Sequence, residues 1–324
     1  MGAVFKDCRS SGMTEEGTVF RIPEEIGNER VTEIGERAFY SCRSLRSIVF
    51  PFSIERVAPY AFAECRNLES LQFPDGLKEI GNYAFYNCQK LRSIFLGRNL
   101  ASIGYGAFKN CLELREITLE LLPGRKNCLN TILQDEFQKV DLKIQYLDEE
   151  GQQKEQARLI FTDYEYEYVP QIEARQFNWE TYGSGESYRI SIADHEIDYE
   201  KYDSVFSVAI QEDDAETLDQ IVACRLGWPY KLSDSSRKKY ENYVRKNIDH
   251  FLEVTISKQG QSDLFDRLLS YILEHSLLSP EKKRRAIDLS IAYRKPQVTA
   301  MLMGKQERET SSQKPNSIHS RFAL

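Results

Sequence analysis

Four cysteines recur at a constant interval in the first third of the chain. Each follows the one before by 23 residues: Cys42, Cys65, Cys88 and Cys111. Thiols can bind metals or pair as disulfides, but metal sites and redox pairs favour a C-x-x-C spacing. An interval of 23 residues instead stacks the thiols about 5 Å apart, the separation of neighbouring strands. We therefore expect a structural ladder of small buried side chains, with a metal site or disulfides as the alternative.

One histidine is flanked by carboxylates, a grouping that could support hydrolysis. His195 lies between Asp194 and Glu196, and a histidine beside a carboxylate can act as a general base. Neighbouring residues of a strand point to opposite faces of the sheet, so this pairing is geometrically poor. We keep a hydrolase in this region only as a remote alternative.

The sequence contains no other catalytic or cofactor motif. Walker A, dinucleotide-binding, zinc-protease, nucleophile-elbow and EF-hand patterns are all absent. The remaining histidines, His250, His275 and His319, lie at no spacing typical of metal ligands. We predict that the protein is not an enzyme and that it holds no cofactor and no metal.

The cysteines belong to a repeat of 23 residues that also has several apolar columns. The columns are Ala38-Phe39, Ala61-Phe62, Ala84-Phe85 and Ala107-Phe108; Leu45, Leu68, Leu91 and Leu114; Ile48, Leu71, Ile94 and Ile117; and Ile34, Val57, Ile80 and Ile103. One unit reads I-G-x-x-A-F-x-x-C-x-x-L-x-x-I-x-F/L. A single unit cannot bury its own apolar face, so the units should stack into a solenoid with one continuous core.

Within a unit, the apolar spacing predicts a turn followed by a strand. Ile48 and Phe50 alternate as in a strand with one buried face. Ala38, Phe39 and Cys42 have the spacing of a single helical turn that points these side chains inward. Stacked units of this kind form a parallel sheet.

This signature resembles the leucine-rich repeats of the BspA-like bacterial family, whose units carry the same I-G-x-x-A-F-x-x-C-x-x-L pattern. The resemblance covers roughly residues 18–122. Three units carry the family's glycine: Gly35, Gly81 and Gly104. The second unit has Ala58 there, so this position should not require a positive φ. Residues 19–23 read as a degenerate capping strand with extra residues in the connection that follows. The resemblance implies a binding protein, and such relatives include surface proteins that adhere to host matrix.

The side chains that flank the inward isoleucine of each strand should face solvent and form a binding surface. We define this concave-face ladder as Ser47, Val49, Ser70, Gln72, Ser93, Phe95, Glu116 and Thr118. Its rim should hold Arg46, Glu69, Arg92 and Arg115. We expect Phe95 as an exposed aromatic among small polar side chains, the composition of an interface anchor. The alternatives are a merely solvated face and a face covered by another part of the chain.

The exact period ends after Leu119, and the pattern changes twice. Residues 140–147 and 157–161 predict a β-hairpin. From about Tyr202 the apolar spacing is helical, with one long helix expected over about residues 233–257. The helical region is weakly similar to ankyrin or HEAT helix pairs, and a plain bundle is the alternative. Its basic run, Lys282-Lys283-Arg284-Arg285, should be a solvated helix face, with phosphate contact as the alternative.

Charge and hydropathy limit the classes of partner. The net charge is −7, and residues 135–203 hold 18 acidic against 7 basic side chains. This balance argues against nucleic acid, which draws most of its affinity from clustered Lys and Arg. No apolar run is long enough to cross a membrane. The first residues show no signal peptide, and seven cysteines without a pairing pattern favour a reducing compartment. We expect a cytoplasmic protein, or a surface or secreted one if a leader has been trimmed.

The sequence thus predicts an α+β protein with four parts. These are a leucine-rich-repeat solenoid with its cap (residues 1–125), an acidic β-containing connecting module (126–200), a domain of helix pairs (201–304) and a disordered tail (305–324). We predict a scaffold that binds another protein through the concave-face ladder, the helical domain or both. A bacterial surface adhesin is the alternative.

Overall fold

A computed structural model describes the chain in five segments. They are residues 3–5, 19–170, 177–193, 195–260 and 262–303. The contacts form two compact units, Met1–Ser236 and Arg237–Leu324. The tail predicted to be disordered lies outside the described residues. Within the described part of the chain, no helix has the length and apolar character needed to span a membrane.

The first unit holds all the strands of the described residues and four helices. The strands are β1 (Ala3–Phe5), β2 (Val19–Arg21), β3 (Glu25–Ile26), β4 (Glu29–Ile34), β5 (Ser47–Val49), β6 (Arg56–Val57), β7 (Ser70–Gln72), β8 (Glu79–Ile80), β9 (Ser93–Leu96), β10 (Ser102–Ile103), β11 (Glu116–Leu121), β12 (Val140–Leu147), β13 (Gln153–Phe161), β14 (Glu165–Pro170), β15 (Phe177–Tyr182), β16 (Ile192–Ala193) and β17 (Glu196–Ile197). The helices are α1 (Leu129–Leu133), α2 (Gly185–Arg189), α3 (Tyr199–Glu212) and α4 (Ala215–Gly227).

Each repeat contributes a strand to two parallel stacks, which confirms the predicted solenoid. β7, β9 and β11 pair in parallel and carry the column of inward isoleucines and leucine. β4, β6, β8 and β10 form a second parallel sheet from the column that precedes each turn. The sequence pattern did not identify this second set of strands, because β6, β8 and β10 are only two residues long.

The turn between the two strands of a unit is closed by short-range hydrogen bonds rather than by a regular α-helix. Cys42 N donates to Phe39 O at 3.0 Å, and Leu45 N donates to Cys42 O at 3.2 Å. Left-handed residues recur in these turns, at Arg37, Ser41 and their equivalents in later units. They turn alternate amides toward the next unit, so that Phe39 N donates to Ala61 O at 2.7 Å.

The phenylalanine column forms the centre of the solenoid. Phe39, Phe62, Phe85 and Phe108 are stacked with ring centroids 4.7, 5.0 and 5.3 Å apart and nearly parallel planes. All four are buried. Stacked units therefore share one apolar core, as expected when a lone unit cannot bury its own face.

Three of the four ladder cysteines are buried free thiols. Cys65, Cys88 and Cys111 are fully buried, and burial raises the pKa of each thiol well above its ordinary value. Each thiol also donates to a phenylalanine carbonyl of the preceding unit, as Cys65 Sγ does to Phe39 O at 3.0 Å. Cys42 differs, because it is half-buried and disulfide-bonded. At Cys42, in the first unit, the disulfide kept as the alternative is therefore present in place of a buried free thiol.

The family glycine permits close approach of neighbouring units. Neither Gly81 nor Gly104 has a positive φ, which confirms the expectation drawn from Ala58. A Cβ at Gly81 would lie 2.6 Å from Pro59 N, and one at Gly104 would lie 2.5 Å from Asn82 N. The glycine is thus needed because the backbone of the preceding unit fills the space of a side chain.

The degenerate capping strand is present at the start of the solenoid. β2 pairs in parallel with β5, with Val19 opposite Ser47 and Phe20 opposite Ile48. These partners are 28 residues apart instead of 23. The extra residues form the small antiparallel pair β3–β4, as predicted for a longer connection.

The sheet of β7, β9 and β11 continues beyond the exact period. β12 pairs in parallel with β11, with Glu116 opposite Asp141, and β13 pairs antiparallel with β12. The predicted hairpin is therefore present, and it extends the solenoid sheet. The step from β11 to β12 is 25 residues, since α1 lies in the connection, and a search at a fixed interval of 23 misses it.

Helices α3 and α4 close the end of this sheet. The side chain of Tyr202, on α3, donates to Ile160 O at 2.7 Å and accepts from Ile160 N at 3.0 Å, which satisfies both backbone groups of this residue of β13. A buried ion pair joins the two helices, with Arg225 Nε donating to Asp203 Oδ1 at 2.7 Å. The contacts divide the chain after Ser236, and the predicted boundaries at residues 125 and 200 remain a prediction.

The second unit contains only helices among its described residues. They are α5, which begins in the first unit (Asp234–Lys246), α6 (Ile248–Ser257), α7 (Asp263–Glu274), α8 (Pro280–Ala292) and α9 (residues 296–303). The single long helix expected over residues 233–257 is wrong. Asn247 interrupts it, because its backbone leaves the helical region at φ −111° and ψ 25°. In α8, Lys282 of the basic run donates to Asp249 Oδ2 at 2.7 Å.

Candidate binding surface

The structure arranges the concave-face ladder in two columns on neighbouring strands. Ser70, Ser93 and Glu116 stand opposite one another across β7, β9 and β11. The second column is formed in the same way by Gln72, Phe95 and Thr118. Ser47 and Val49 lie on β5, whose unit is joined to the next by a hydrogen bond from Glu69 N to Arg46 O of 2.9 Å.

Exposure varies along the ladder. Ser70, Gln72 and Glu116 are exposed, and the other members are half-buried. Phe95 is among the half-buried residues, so it is less exposed than the sequence predicts. Its register partners Gln72 and Thr118 flank it on the two neighbouring strands.

The rim arginines are exposed but differ in their contacts. Arg92 Nε donates to Glu113 Oε2 at 2.8 Å. Arg115 contacts the side chain of Gln138 and donates to Leu114 O at 3.3 Å. Arg46 and Glu69 are exposed at the other end of the rim.

An open groove lies where the rim meets the ladder. It has a volume of ≈ 450 Å³ and is lined by Arg92, Ser93, Glu113, Arg115 and Glu116. Four of these five side chains are charged, and both signs are present. The groove can therefore accept ion pairs and hydrogen bonds from a polar partner.

The surface continues onto β12 and β13, which the 23-residue search could not assign to it. Lys143 is in register with Thr118 and lies 3.6 Å from the Glu116 carboxylate. On the next strand, Arg158 Nε donates to Asp141 Oδ1 at 2.9 Å. Beyond the predicted ladder, the register therefore groups the charges by sign, with Glu116 opposite Asp141 and Lys143 opposite Arg158.

The repeats also agree with a known family. Residues 24–151 match the BspA type leucine rich repeat region in six copies. This segment is a BspA-type leucine-rich-repeat solenoid. The match extends through β12 to the turn before β13, in agreement with the continued sheet.

Several solved structures are similar to the BspA-type segment. The T. pallidum leucine rich repeat protein TpLRR is 24% identical, with 41% of this chain and 72% of that chain covered and a TM-score of 0.30. The pneumococcal vaccine antigen PcpA is 22% identical, with 32% of this chain covered and a TM-score of 0.30; the match spans only 24% of the PcpA chain. A leucine-rich repeat protein from Bacteroides ovatus is 21% identical, with 32% and 42% covered and a TM-score of 0.22. A comparison with curated proteins gives no match.

The histidine considered for hydrolysis lies away from the ladder. His195 has a left-handed backbone, with φ 65°, in the turn between β16 and β17. Its Nδ1 is 3.0 Å from Asn127 O, and because a carbonyl only accepts, this nitrogen carries the proton. His195 and Glu196 border the same small cavity, whereas Asp194 lies outside the described residues.

A buried carboxyl lies behind the last BspA-type units. Glu136 is 3% exposed, and burial together with the nearby Asp135 raises its pKa to about 8. One of its oxygens has no hydrogen-bond partner. The neighbouring Arg189 donates to main-chain carbonyls, including Leu133 O at 3.1 Å. This arrangement holds the α1 connection against the solenoid and affects stability more directly than binding.

Proposed function

We propose that the BspA-type solenoid of this chain is a non-catalytic binding module that takes a protein partner on the concave-face ladder. The observation that carries the proposal is the groove at the meeting of ladder and rim, lined by Arg92, Ser93, Arg115 and two glutamates. It lies on the regular strands of a rigid stack, where binding residues are held most firmly.

The composition of the surface supports a polar protein partner. Arginine and aromatic side chains are enriched at the energetic centres of protein interfaces, and this surface has Phe95 on the ladder and Arg92 and Arg115 on the rim. Serine and glutamine side chains between them can donate and accept hydrogen bonds with a peptide backbone. The acidic row of Glu116 and Asp141 beside the basic row of Lys143 and Arg158 favours a partner of complementary charge pattern.

A peptide-display selection tests the proposal with an unbiased set of ligands. Peptides are selected on the full chain and then measured on two arginine variants. Gln72→Arg places a large cation in the centre of the ladder, and Gln134→Arg makes the same change at an exposed position outside it. We expect selected peptides to bind the ladder variant at least tenfold more weakly than the control variant, because a misplaced charge is costly at an interface.

Two outcomes would overturn the assignment. One is equal binding of the selected peptides to wild type and to Gln72→Arg. The other is a larger loss in Gln134→Arg than in Gln72→Arg. Matching far-ultraviolet circular dichroism spectra of the variants exclude misfolding as the cause.

A surface or secreted location is a second candidate setting for the same binding activity. The disulfide at Cys42 favours it, since disulfides persist mainly in oxidising compartments. It counts against the cytoplasmic location expected from the sequence. Protease treatment of intact cells of the source organism separates the two: loss of the protein places it at the surface, and protection places it inside.

A further inference from the structure

A small cavity separate from the ladder is formed by segments far apart in the sequence. It has a volume of ≈ 220 Å³ and lies among the connection after β11, the β16–β17 turn, β12, α3 and the residues after α4. The side chains that carry the argument are Arg125, Tyr146, His195, Tyr199, Tyr230 and Lys231. Drug-sized ligands occupy roughly 300–1,000 Å³, so this cavity suits a smaller molecule, about one substituted ring.

Backbone strain converges on this cavity. In the described part of the first unit, left-handed residues other than glycine fall into two sets. One set repeats in the solenoid turns, and the other consists of His195 (φ 65°) and Lys231 (φ 48°). Both of these residues line the cavity. Backbone strain of this kind is unfavourable and concentrates at binding sites.

Three hydrogen bonds fix the strained histidine. Asn127 N and Asn127 Nδ2 both donate to His195 O, at 2.9 and 2.7 Å. The ring Nδ1 donates in return to Asn127 O at 3.0 Å. When the imidazole is neutral, its Nε2 is left as an acceptor.

A pair of tyrosines leaves one hydroxyl proton for a ligand. The hydroxyls of Tyr146 and Tyr199 lie 2.7 Å apart, and their mutual hydrogen bond uses only one of their two protons. Among the described residues, no hydrogen bond accepts the second proton. Tyr230 stacks on Tyr146 with ring centroids 4.1 Å apart and meets Tyr199 edge-on at 5.3 Å, so the hydroxyl pair lies in an aromatic setting.

Among the described residues, the charged side chains give the cavity a net positive lining. Arg125 and Lys231 are cationic, Glu196 is anionic, and all three are exposed. Within the described residues, none of the three makes an ion pair. Lys231 Nζ lies over the Tyr230 ring at 5.6 Å, which keeps the ammonium beside the aromatic cluster.

We propose that this cavity binds a small aromatic carboxylate. Its carboxylate would pair with Arg125 and Lys231 and accept the free tyrosine proton, and its ring would pack against the tyrosine cluster. The inference is independent of the proposed ladder function, because the cavity shares no residue with the ladder or its rim. A polar substituent on the ring would meet the acceptors Glu196 and His195.

The test uses 4-hydroxybenzoate and its neutral counterpart 4-hydroxybenzamide as probes, measured on the full chain by calorimetry and saturation-transfer NMR. We expect the acid to bind and the amide to bind at least tenfold more weakly, the size of one lost charge-assisted hydrogen bond. Arg125→Gln and Lys231→Asn should each weaken the acid about tenfold. Asparagine is chosen at 231 because it tolerates a left-handed backbone.

The control is Lys90→Gln, which removes an exposed cation on a repeat turn and should leave binding unchanged. Tyr199→Phe, which keeps the ring and removes the hydroxyl, should also weaken the acid. Lack of binding by the acid would overturn the proposal. Equal affinity for acid and amide, or unchanged affinity in both Arg125→Gln and Lys231→Asn, would overturn it as well.

Discussion

Replacement of Glu136 by glutamine should remove a strong pH dependence from the stability of the first unit. The pKa of this carboxyl is raised from 4.5 to about 8 in the folded chain, so the folded state binds its proton more tightly than the unfolded state. The stability that this proton provides is complete below pH 4.5 and is lost as the pH rises toward 8. Glutamine has the same shape and does not titrate.

The magnitude follows from the size of the pKa shift. The pKa of the carboxyl is about 8 in the folded chain and 4.5 in the unfolded chain. The free energy of unfolding of the wild type should therefore fall by about 3 kcal/mol between pH 4.5 and pH 7. The difference in free energy of unfolding between Glu136→Gln and the wild type should therefore increase by about 3 kcal/mol, in favour of the variant, as the pH rises across this range. Other titrating groups contribute to both proteins and cancel in the difference.

Urea unfolding at several pH values measures this difference. Both tryptophans of the chain, at positions 179 and 228, belong to the first compact unit, so their fluorescence reports the unit that contains Glu136. Wild type and Glu136→Gln should diverge steadily from pH 4.5 to pH 7. Parallel stability curves would refute the reasoning, because they would mean that the Glu136 carboxyl titrates normally in the folded protein.

Three further changes test the packing of the solenoid and its closing helices. Cys88→Ala removes a fully buried thiol that donates to the preceding unit and should lower the free energy of unfolding by about 1–2 kcal/mol; an unchanged urea midpoint would contradict this. Gly81→Ala places a Cβ against the neighbouring backbone and should cost more than about 2 kcal/mol. The control is Gly124→Ala, where a Cβ would meet no neighbouring atom, and it should lower the free energy of unfolding by only about 1 kcal/mol. An equal loss of stability in both variants would refute the close-approach argument. Asp203→Asn leaves Arg225 buried without its ion-pair partner and should cost about 3–5 kcal/mol, which a thermal shift of less than a few degrees would exclude.

The periodic part of the fold could be predicted from the sequence because every unit repeats the same packing problem. The columns of Phe39, Leu45 and Ile48 each place one side chain per unit in a shared core. Agreement over several units therefore defined the strand, the turn and the face of the ladder. The second sheet was missed because β6 and its equivalents are too short to show the alternation of apolar and polar residues that marks a strand.

The remaining features depend on contacts that no local pattern records. The continued sheet at β12 was hidden because the connection from β11 changes length. The break in the long predicted helix lies at one residue, Asn247, whose backbone is not helical. The tyrosine cavity joins Arg125 to Lys231 across more than a hundred residues of intervening chain, and only the packing of α3 and α4 against the solenoid brings them together.

The central claim, that the concave-face ladder is the working surface, is tested most directly by mapping where a bound peptide lies. A photo-crosslinking group is placed on a peptide selected by the wild-type chain, and the crosslinked residues are identified by mass spectrometry. The account predicts crosslinks to Ser70, Gln72 and the groove beside Arg92. Crosslinks confined to exposed residues of the repeat turns, such as Tyr40 and Tyr105, would contradict it.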